Sequence, residues 1–151
     1  SRAFRQSIRF LRNTSRGTRY CSMMLTSKDA QILQIIVQYC DDIDEATRRF
    51  GGTQEAFYAD RLYRHACSMA LQTIGEVAKS FSDEFVENHT KIPWKLIKGM
   101  RTFFAHTYHS SIDMDKVWDM IHEDIPMLRA YCTDLLNEIT EKNRSRKGRD
   151  S

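Results

Sequence analysis

The sequence has 151 residues and a mass of 17.7 kDa, which is the size of one ordinary domain. Hydrophobic residues make up 41% and charged residues 28%, which excludes a disordered chain, and no apolar run approaches the roughly 20 residues of a membrane-spanning helix. With only 6 Gly and 2 Pro, the composition argues against a turn-rich β-sandwich or barrel and favours long helices.

The net charge of +3 is distributed unevenly along the chain. Residues 1–22 contribute +6 and residues 141–151 contribute +3, which leaves −6 for the body at residues 23–140. An acidic body binds nucleic acid poorly by itself. Any contact with RNA would therefore need a local basic cleft or the tails.

The first 22 residues are predicted to be a basic extension outside the folded domain. They contain six arginines and no acid, and they begin with Ser1 instead of Met. This composition superficially matches an organelle transit peptide. The simpler interpretation is a disordered or non-native extension, with the natural start at Met23 or Met24. The alternative is an arginine-rich arm that contacts RNA.

The first helix is predicted between Ser27, a suitable N-cap, and Gly51, a suitable residue just past the C-terminus. A second helical region follows Thr53, which can cap it. Apolar residues recur every three or four positions in both regions, as on the buried face of a helix. The two stripes, whose tyrosines are expected to be buried, are Ile32, Ile36, Tyr39, Ile43, Ala46 and Phe50, and Tyr63, Ala66, Ala70, Ile74, Val77 and Phe81.

A short polar helix is predicted to begin at Ser82 and to end near Asn88 and His89. Pro93 suits the first turn of the next main helix, since its missing N–H would be unpaired there anyway. A final apolar stripe runs from Val117 to Ile139, and Pro126 should break or kink it near Asp124. The predicted fold is a single all-α, up-and-down bundle of four to five helices at residues 23–140, followed by a basic polar tail at 141–151.

The four cysteines are never separated by two residues, as redox and zinc motifs require. We interpret Cys21, Cys40, Cys67 and Cys132 as reduced and mostly buried thiols of a cytoplasmic protein. The glycines form no phosphate-binding loop. His106 and His109 could share a metal ion, but no third ligand stands at a diagnostic spacing, so no metal site is expected.

The residues that could carry chemistry lie between Gly99 and His109, where Arg101, His106 and Tyr108 stand beside Lys95 and Lys98. On one straight helix Arg101 and His106 would diverge by about 140°, whereas Arg101 and Tyr108 would lie within about 20° of one line. The pair could still meet if the helix ended near Ala105, or if a symmetric partner brought a second pair across a two-fold axis. The alternative is an ordinary helix with a surface arginine, a capping histidine and a half-buried tyrosine.

The sequence has IPWKLIKGMR at residues 92–101, followed by His106-Thr107-Tyr108, Ile112-Asp113 and Val117-Trp118. In these residues it resembles the HepT family of HEPN proteins, and the similarity extends over residues 24–137. Ile74-Gly75-Glu76 and Asp124-Ile125-Pro126-Met127-Leu128 agree in order and spacing. The bare R-x4-H pattern is weak, but R-x4-H-x-Y within this setting is specific.

The resemblance implies an α-helical homodimer in which two Arg–His sets share one cleft, and we expect the dimer to bury Trp94 or the Phe103 side. It also implies a metal-independent ribonuclease that needs no cofactor and acts as the toxin of a type VII-like toxin–antitoxin pair. Carried over by position, Arg101 and His106 are the catalytic pair. The antitoxin would be a MntA-type minimal nucleotidyltransferase, which transfers AMP to Tyr108. The residue after the arginine is often Asn in this family and is Thr102 here, a candidate for orienting substrate through its hydroxyl.

RNA supplies its own nucleophile, the 2′-hydroxyl, so the protein need only move protons and stabilise charge. His106 can act as base or acid near neutral pH, and Arg101 can donate hydrogen bonds to the phosphate oxygens. Two readings from other classes stay open. The chain could be a non-catalytic nucleotide- or RNA-binding partner subunit of a minimal nucleotidyltransferase, or an inert helical dimer.

Overall fold

The computed structural model of the chain describes residues 27–105 and 112–149. Within them the regular secondary structure is entirely helical, which confirms the predicted all-α bundle. The helices are α1 (Ser27–Phe50), α2 (Gln54–Ala59), α3 (Arg61–Val77), α4 (Asp83–Asn88), α5 (Trp94–Ala105), α6 (Met114–Asp119) and α7 (Ile125–Lys147). No helix in this part of the chain is long and apolar enough to cross a membrane.

Four long helices, α1, α3, α5 and α7, form the bundle in the described residues. Helix α1 packs against both α3 and α7, and α5 packs against α3. The core between them is apolar and aromatic, because the helices turn their three-and-four-spaced hydrophobic residues inward. Its largest fully buried side chains include Leu33, Ile36, Ile43, Phe57, Tyr63, Leu71, Ile74, Met100, Val117 and Leu128.

The buried faces differ from the predicted stripes at several positions. On α1 the fully buried residue is Cys40, whereas Tyr39 is only half-buried, so the prediction of a buried Tyr39 is wrong. On α3 Cys67 is buried and the neighbouring Ala66 is exposed. The three-or-four rule allows either residue of such a pair, and the packing partner selects the one that points at the core. Phe50, at the end of the first stripe, is 36% exposed.

The ends of the first helices confirm the local signals and add one break. Gly51 has a φ of 112°, and its N–H donates to the carbonyl of Thr47 at 2.9 Å, as expected past a helix C-terminus. The Thr53 hydroxyl accepts from the N–H of Ala56 and caps α2. The second region is two helices, however, because the Asp60 carboxylate accepts the N–H groups of Leu62 and Tyr63 and starts α3 afresh.

A buried carboxylate anchors the start of α4. The Ser82 hydroxyl accepts from the N–H of Phe85, which confirms the predicted short helix. Asp29 is fully buried and accepts two hydrogen bonds from Ser82, one from its backbone N–H at 3.0 Å and one from its hydroxyl at 2.9 Å. The next helix starts one residue later than expected, since Pro93 precedes Trp94 as its N-cap residue.

Pro126 distorts the last helical region as predicted. Residues Met120–Asp124 form a π turn, in which the N–H of Ile125 donates to the carbonyl of Met120. The proline has no N–H for the carbonyl of His122, so the wider turn accommodates it before α7 begins. The predicted tail from residue 141 is a continuation of α7 to Lys147, with exposed side chains throughout.

Three of the four cysteines behave as predicted. Cys40, Cys67 and Cys132 are fully buried free thiols, and burial raises the pKa of each to about 12. Cys21 lies outside the described residues.

Candidate active site

Arg101 lies where α5 contacts α3. Its side chain is 47% exposed and projects from the side of α5 that faces the end of α3. The two backbones approach closely at Gly75 on α3, where a Cβ atom would lie 3.1 Å from the Cβ of Arg101 and 3.2 Å from its backbone nitrogen. Only glycine allows this separation without displacing one of the helices. The packing therefore fixes where the arginine leaves the bundle.

The Arg101 side chain is held by the residue that follows this glycine. Its Nε donates to Oε1 of Glu76 at 2.7 Å, and the second carboxylate oxygen of Glu76 lies 3.5 Å from Nζ of Lys79. The hydrogen bond from Arg101 is the largest cause of a pKa of Glu76 below its ordinary value, so the carboxylate is ionised at neutral pH. Glu76 was not among the site residues predicted from the sequence. The one available signal was its place in the Ile74-Gly75-Glu76 match.

Thr102 is exposed on the same helix. Its hydroxyl donates to the carbonyl of Lys98 one turn earlier, at 3.0 Å. The hydroxyl proton is thus engaged by the helix itself, while the oxygen can still accept a hydrogen bond. Its role in orienting a substrate stays a prediction.

His106, Tyr108 and His109 lie outside the described residues, which stop at Ala105 and resume at Ile112. The two arrangements that could bring His106 to Arg101 therefore both remain predictions. The other histidines stand apart from Arg101 in the sequence. His65 is exposed, His89 is buried with Nδ1 2.8 Å from the carbonyl of Phe85, and His122 is exposed with Nδ1 3.1 Å from the carbonyl of Trp118.

The segment around Arg101 has a charge unlike that of the rest of the body. Residues 89–112 contain no Asp or Glu, although residues 23–140 together carry a charge of −6. Lys91, Lys95, Lys98 and Arg101 fall within this segment, and all four are exposed. An acidic body needs a local basic surface such as this one for any contact with RNA.

An exposed apolar stripe on α3 leads toward the Arg101–Glu76 pair. Leu62 and Met69 are each 68% exposed, and Ala66 between them is exposed as well. Positions 62, 69 and 76 repeat every seven residues, so they lie on nearly one line along the helix. Large aliphatic side chains this open to solvent on one helix face are typical of a contact surface.

A separate groove of about 610 Å³ lies on another side of α5. Its floor is apolar, with Leu96, Met100 and Phe103 among its residues, and Lys95 and Lys116 also line it. Phe103 stands about 200° from Arg101 around the helix, so this groove and the arginine face away from each other.

The described residues contain no group of three or more His, Cys, Asp or Glu side chains that could hold a metal ion. The pair His106 and His109 is outside that part of the chain.

A family model described as ribonuclease HepT-like matches residues 31–135. A relative in Caldanaerobacter subterraneus, which carries the provisional name of an RNase, is 33% identical over 106 residues, or 70% of this chain and 92% of the relative. A relative in Thermococcus cleftensis, provisionally named as a ribonuclease HepT, is 33% identical over 65% of this chain and 86% of its own length. Another in Methanocaldococcus jannaschii, also provisionally named as an RNase, is 29% identical over 62% of this chain and 84% of its own length. No solved structure matches the chain.

Proposed function

The chain belongs to the HepT-like ribonuclease family, and from this we propose that it is a metal-independent endoribonuclease that acts as the toxin of a type VII-like toxin–antitoxin pair. The observation that carries the proposal is the solvent-exposed side chain of Arg101, whose Nε donates to Glu76. The segment that contains Arg101, residues 89–112, has no Asp or Glu. An exposed guanidinium in a basic segment of an acidic body suits a phosphate ligand. The names of the relatives give that ligand as RNA.

The chemistry follows from the side chains and the substrate. The 2′-hydroxyl of the RNA attacks the adjacent phosphate, and the 5′-oxygen of the next nucleotide leaves. His106 accepts the proton of the 2′-hydroxyl. Either the same histidine, now protonated, or the protonated His106 of a second copy then donates a proton to the leaving oxygen. The terminal nitrogens of Arg101 donate to the phosphate oxygens, whose charge grows in the transition state. The products are a 2′,3′-cyclic phosphate, which water can open to a 3′-phosphate, and a 5′-hydroxyl.

A homodimer would explain how Arg101 and His106 can act on one substrate although they would diverge on one straight helix. A two-fold axis near Arg101 would let the arginine of one copy work with the histidine of the other. The Phe103 side of α5, one of the two surfaces expected from the sequence, faces away from Arg101. The exposed Leu62–Ala66–Met69 stripe lies on α3, the helix that contacts Arg101, so we infer that the dimer forms there. The other surface expected from the sequence is that of Trp94. This side chain is already half-buried, and its Nε1–H donates to the carbonyl of His89.

The dimer is tested by its mass in solution. A Met69→Glu substitution puts a charge into the stripe and should give a monomer by light scattering at micromolar concentration. Met127→Glu, the same change at a methionine that is 53% exposed on α7, is the matched control and should stay dimeric. A wild-type chain that is a strict monomer contradicts the dimer.

Control by the antitoxin is the second part of the proposal. A MntA-type nucleotidyltransferase would transfer AMP from ATP to the phenol oxygen of Tyr108, two residues past His106, and release pyrophosphate and the phenol proton. The added phosphodiester is an anion that Arg101 could bind, so the modification would fill the cleft and reduce its attraction for RNA. The modification needs no cofactor bound to this chain.

The cleavage chemistry is tested with two matched substrates. A single-stranded RNA and the same strand with 2′-deoxy substitutions are incubated with the full chain, and the ends of the products are identified by mass. We expect cleavage of the RNA alone, with a cyclic phosphate or 3′-phosphate and a 5′-hydroxyl. Binding of RNA without cleavage would instead favour the non-catalytic partner subunit of a nucleotidyltransferase.

A further inference from the structure

We propose that Glu76 is the positioning residue for Arg101: its carboxylate fixes the Nε edge of the guanidinium and leaves the two terminal nitrogens for the substrate phosphate. The inference rests on the proposed function and deepens it. It begins from the hydrogen bond of 2.7 Å between Arg101 Nε and Glu76 Oε1, which joins residues 25 positions apart on different helices.

The geometry divides the guanidinium into two parts. In the described residues, the Arg101 guanidinium is hydrogen-bonded at Nε, to Oε1 of Glu76. A planar guanidinium held by one edge keeps its opposite donors in a defined plane, as bidentate binding of a phosphate requires. An arginine on a free stem would have to be ordered by the substrate itself, at an entropic cost.

Stability does not explain this pair. Its side chains are 47% and 50% exposed, and ion pairs so open to water contribute little to folding. The backbone contact at Gly75 already brings the two helices together without it. The pair therefore fits a role in presenting Arg101 better than a role in holding α3 to α5.

A second ion pair provides the matched control. Nε of Arg129 on α7 donates to Oδ1 of Asp41 on α1 at 2.6 Å. The side chains of Arg129 and Asp41 are 42% and 50% exposed. This pair also joins an arginine Nε to a carboxylate oxygen across two helices, at similar exposure, but it lies on helices other than α5. A purely structural effect of losing a surface pair should appear equally at Asp41 and at Glu76.

Two substitutions at Glu76 separate its charge from its position. Glu76→Gln removes the charge and keeps an oxygen that can accept from Nε. Glu76→Ala removes both. Nζ of Lys79 lies 3.5 Å from the carboxylate of Glu76, and this lysine is present in both variants. The local surface therefore stays basic, and the affinity for RNA should not fall.

The experiment measures kcat and KM for cleavage of one RNA by the full-length wild type, Glu76→Ala, Glu76→Gln and Asp41→Ala. We expect kcat of Glu76→Ala to fall at least about tenfold with KM unchanged or lower, because an interaction needed in the transition state has lost its alignment. Glu76→Gln should stay within about threefold of the wild type, and Asp41→Ala should equal it. Thermal unfolding of the four proteins should differ by no more than about 2 °C.

The outcomes separate this inference from the proposed function. A wild type that does not cleave RNA overturns both. If the wild type cleaves and Arg101→Ala does not, equal kcat values for Glu76→Ala and the wild type overturn the positioning role alone. So does an equal loss of kcat in Asp41→Ala, or a Glu76→Gln variant as impaired as Glu76→Ala.

Discussion

Gly75 and Arg101 are in backbone contact across α3 and α5, so close that a methyl group at the glycine would require α5 to shift by a few tenths of an ångström. A Cβ atom at position 75 would lie 3.1 Å from the Cβ of Arg101 and 3.4 Å from its Cα. These are atoms of a packed helix, and they cannot turn aside as the end of a flexible side chain would. The position of Arg101 therefore depends on the absence of a side chain at residue 75.

Gly75→Ala should accordingly lower RNA cleavage. Alanine favours a helix interior by about 1 kcal/mol over glycine, but here the methyl group must push α5 away from α3. We expect a net destabilisation of about 1 kcal/mol by urea unfolding and a fall of about tenfold in kcat/KM, because Arg101 moves with its helix.

Gly99→Ala is the control for that substitution. Gly99 lies in α5, and a Cβ atom there would have no neighbour within 4 Å. The change should stabilise the protein by about 0.5–1 kcal/mol and leave cleavage unchanged. A Gly75→Ala variant that is also stabilised and fully active would contradict the role given to the contact.

Tyr108 should be the tyrosine that accepts AMP when the chain is co-expressed with its nucleotidyltransferase. Intact-mass analysis should give gains in units of AMP, and peptide mapping should assign them to the peptide with Tyr108. Tyr108→Phe should fold normally and resist neutralisation.

The other tyrosines give the comparison for this assignment. Tyr63 is fully buried and its hydroxyl donates to that of Thr47 at 2.9 Å, so an enzyme cannot reach it. Tyr58 is 40% exposed, which makes Tyr58→Phe a stringent control that should still be modified and neutralised. AMP on Tyr58, or neutralisation of Tyr108→Phe, would refute the assignment.

His89 should make the fold less stable in mild acid. The ring is 7% exposed and stacks on Phe85, and burial lowers the pKa of His89 below its ordinary value of 6.5. The unfolded chain therefore binds a proton more readily than the native protein. The stability that the neutral His89 ring contributes is complete above about pH 6.5 and is lost as the pH falls below it. Urea unfolding at pH 7.5 and 5.0 should show a smaller loss for His89→Gln than for the wild type. His65→Gln, at an exposed histidine, should behave as the wild type does.

The buried thiols should resist alkylation in the native protein. Because the thiolate is the reactive form, a pKa of about 12 leaves Cys40, Cys67 and Cys132 almost entirely protonated at pH 8. Peptide mapping after iodoacetamide treatment should find these three unmodified in buffer and modified in urea. Rapid labelling of any of them in buffer would contradict the packing of the core.

Local signals in the sequence predicted local structure well. Gly51 and Ser82 were correctly assigned to helix ends, because a positive φ and a side-chain cap each involve only a few neighbouring residues. The break at Asp60 was missed, since the apolar stripe beyond it is continuous with the helical pattern. The pairing of Glu76 with Arg101 was not predicted either, because a spacing of 25 residues carries no periodic signal and the contact arises only when α3 and α5 pack.

The proposed mechanism is tested most directly by RNA cleavage with the purified chain in excess EDTA, compared among the wild type, Arg101→Ala and His106→Ala. We expect the wild type to cleave at the same rate with and without the chelator. Arg101→Ala should lose about 10²–10³-fold, as when one transition-state donor is removed, and His106→Ala should show no detectable cleavage. Cleavage that EDTA abolishes, or that His106→Ala retains, would contradict the claim that this arginine and histidine perform the reaction.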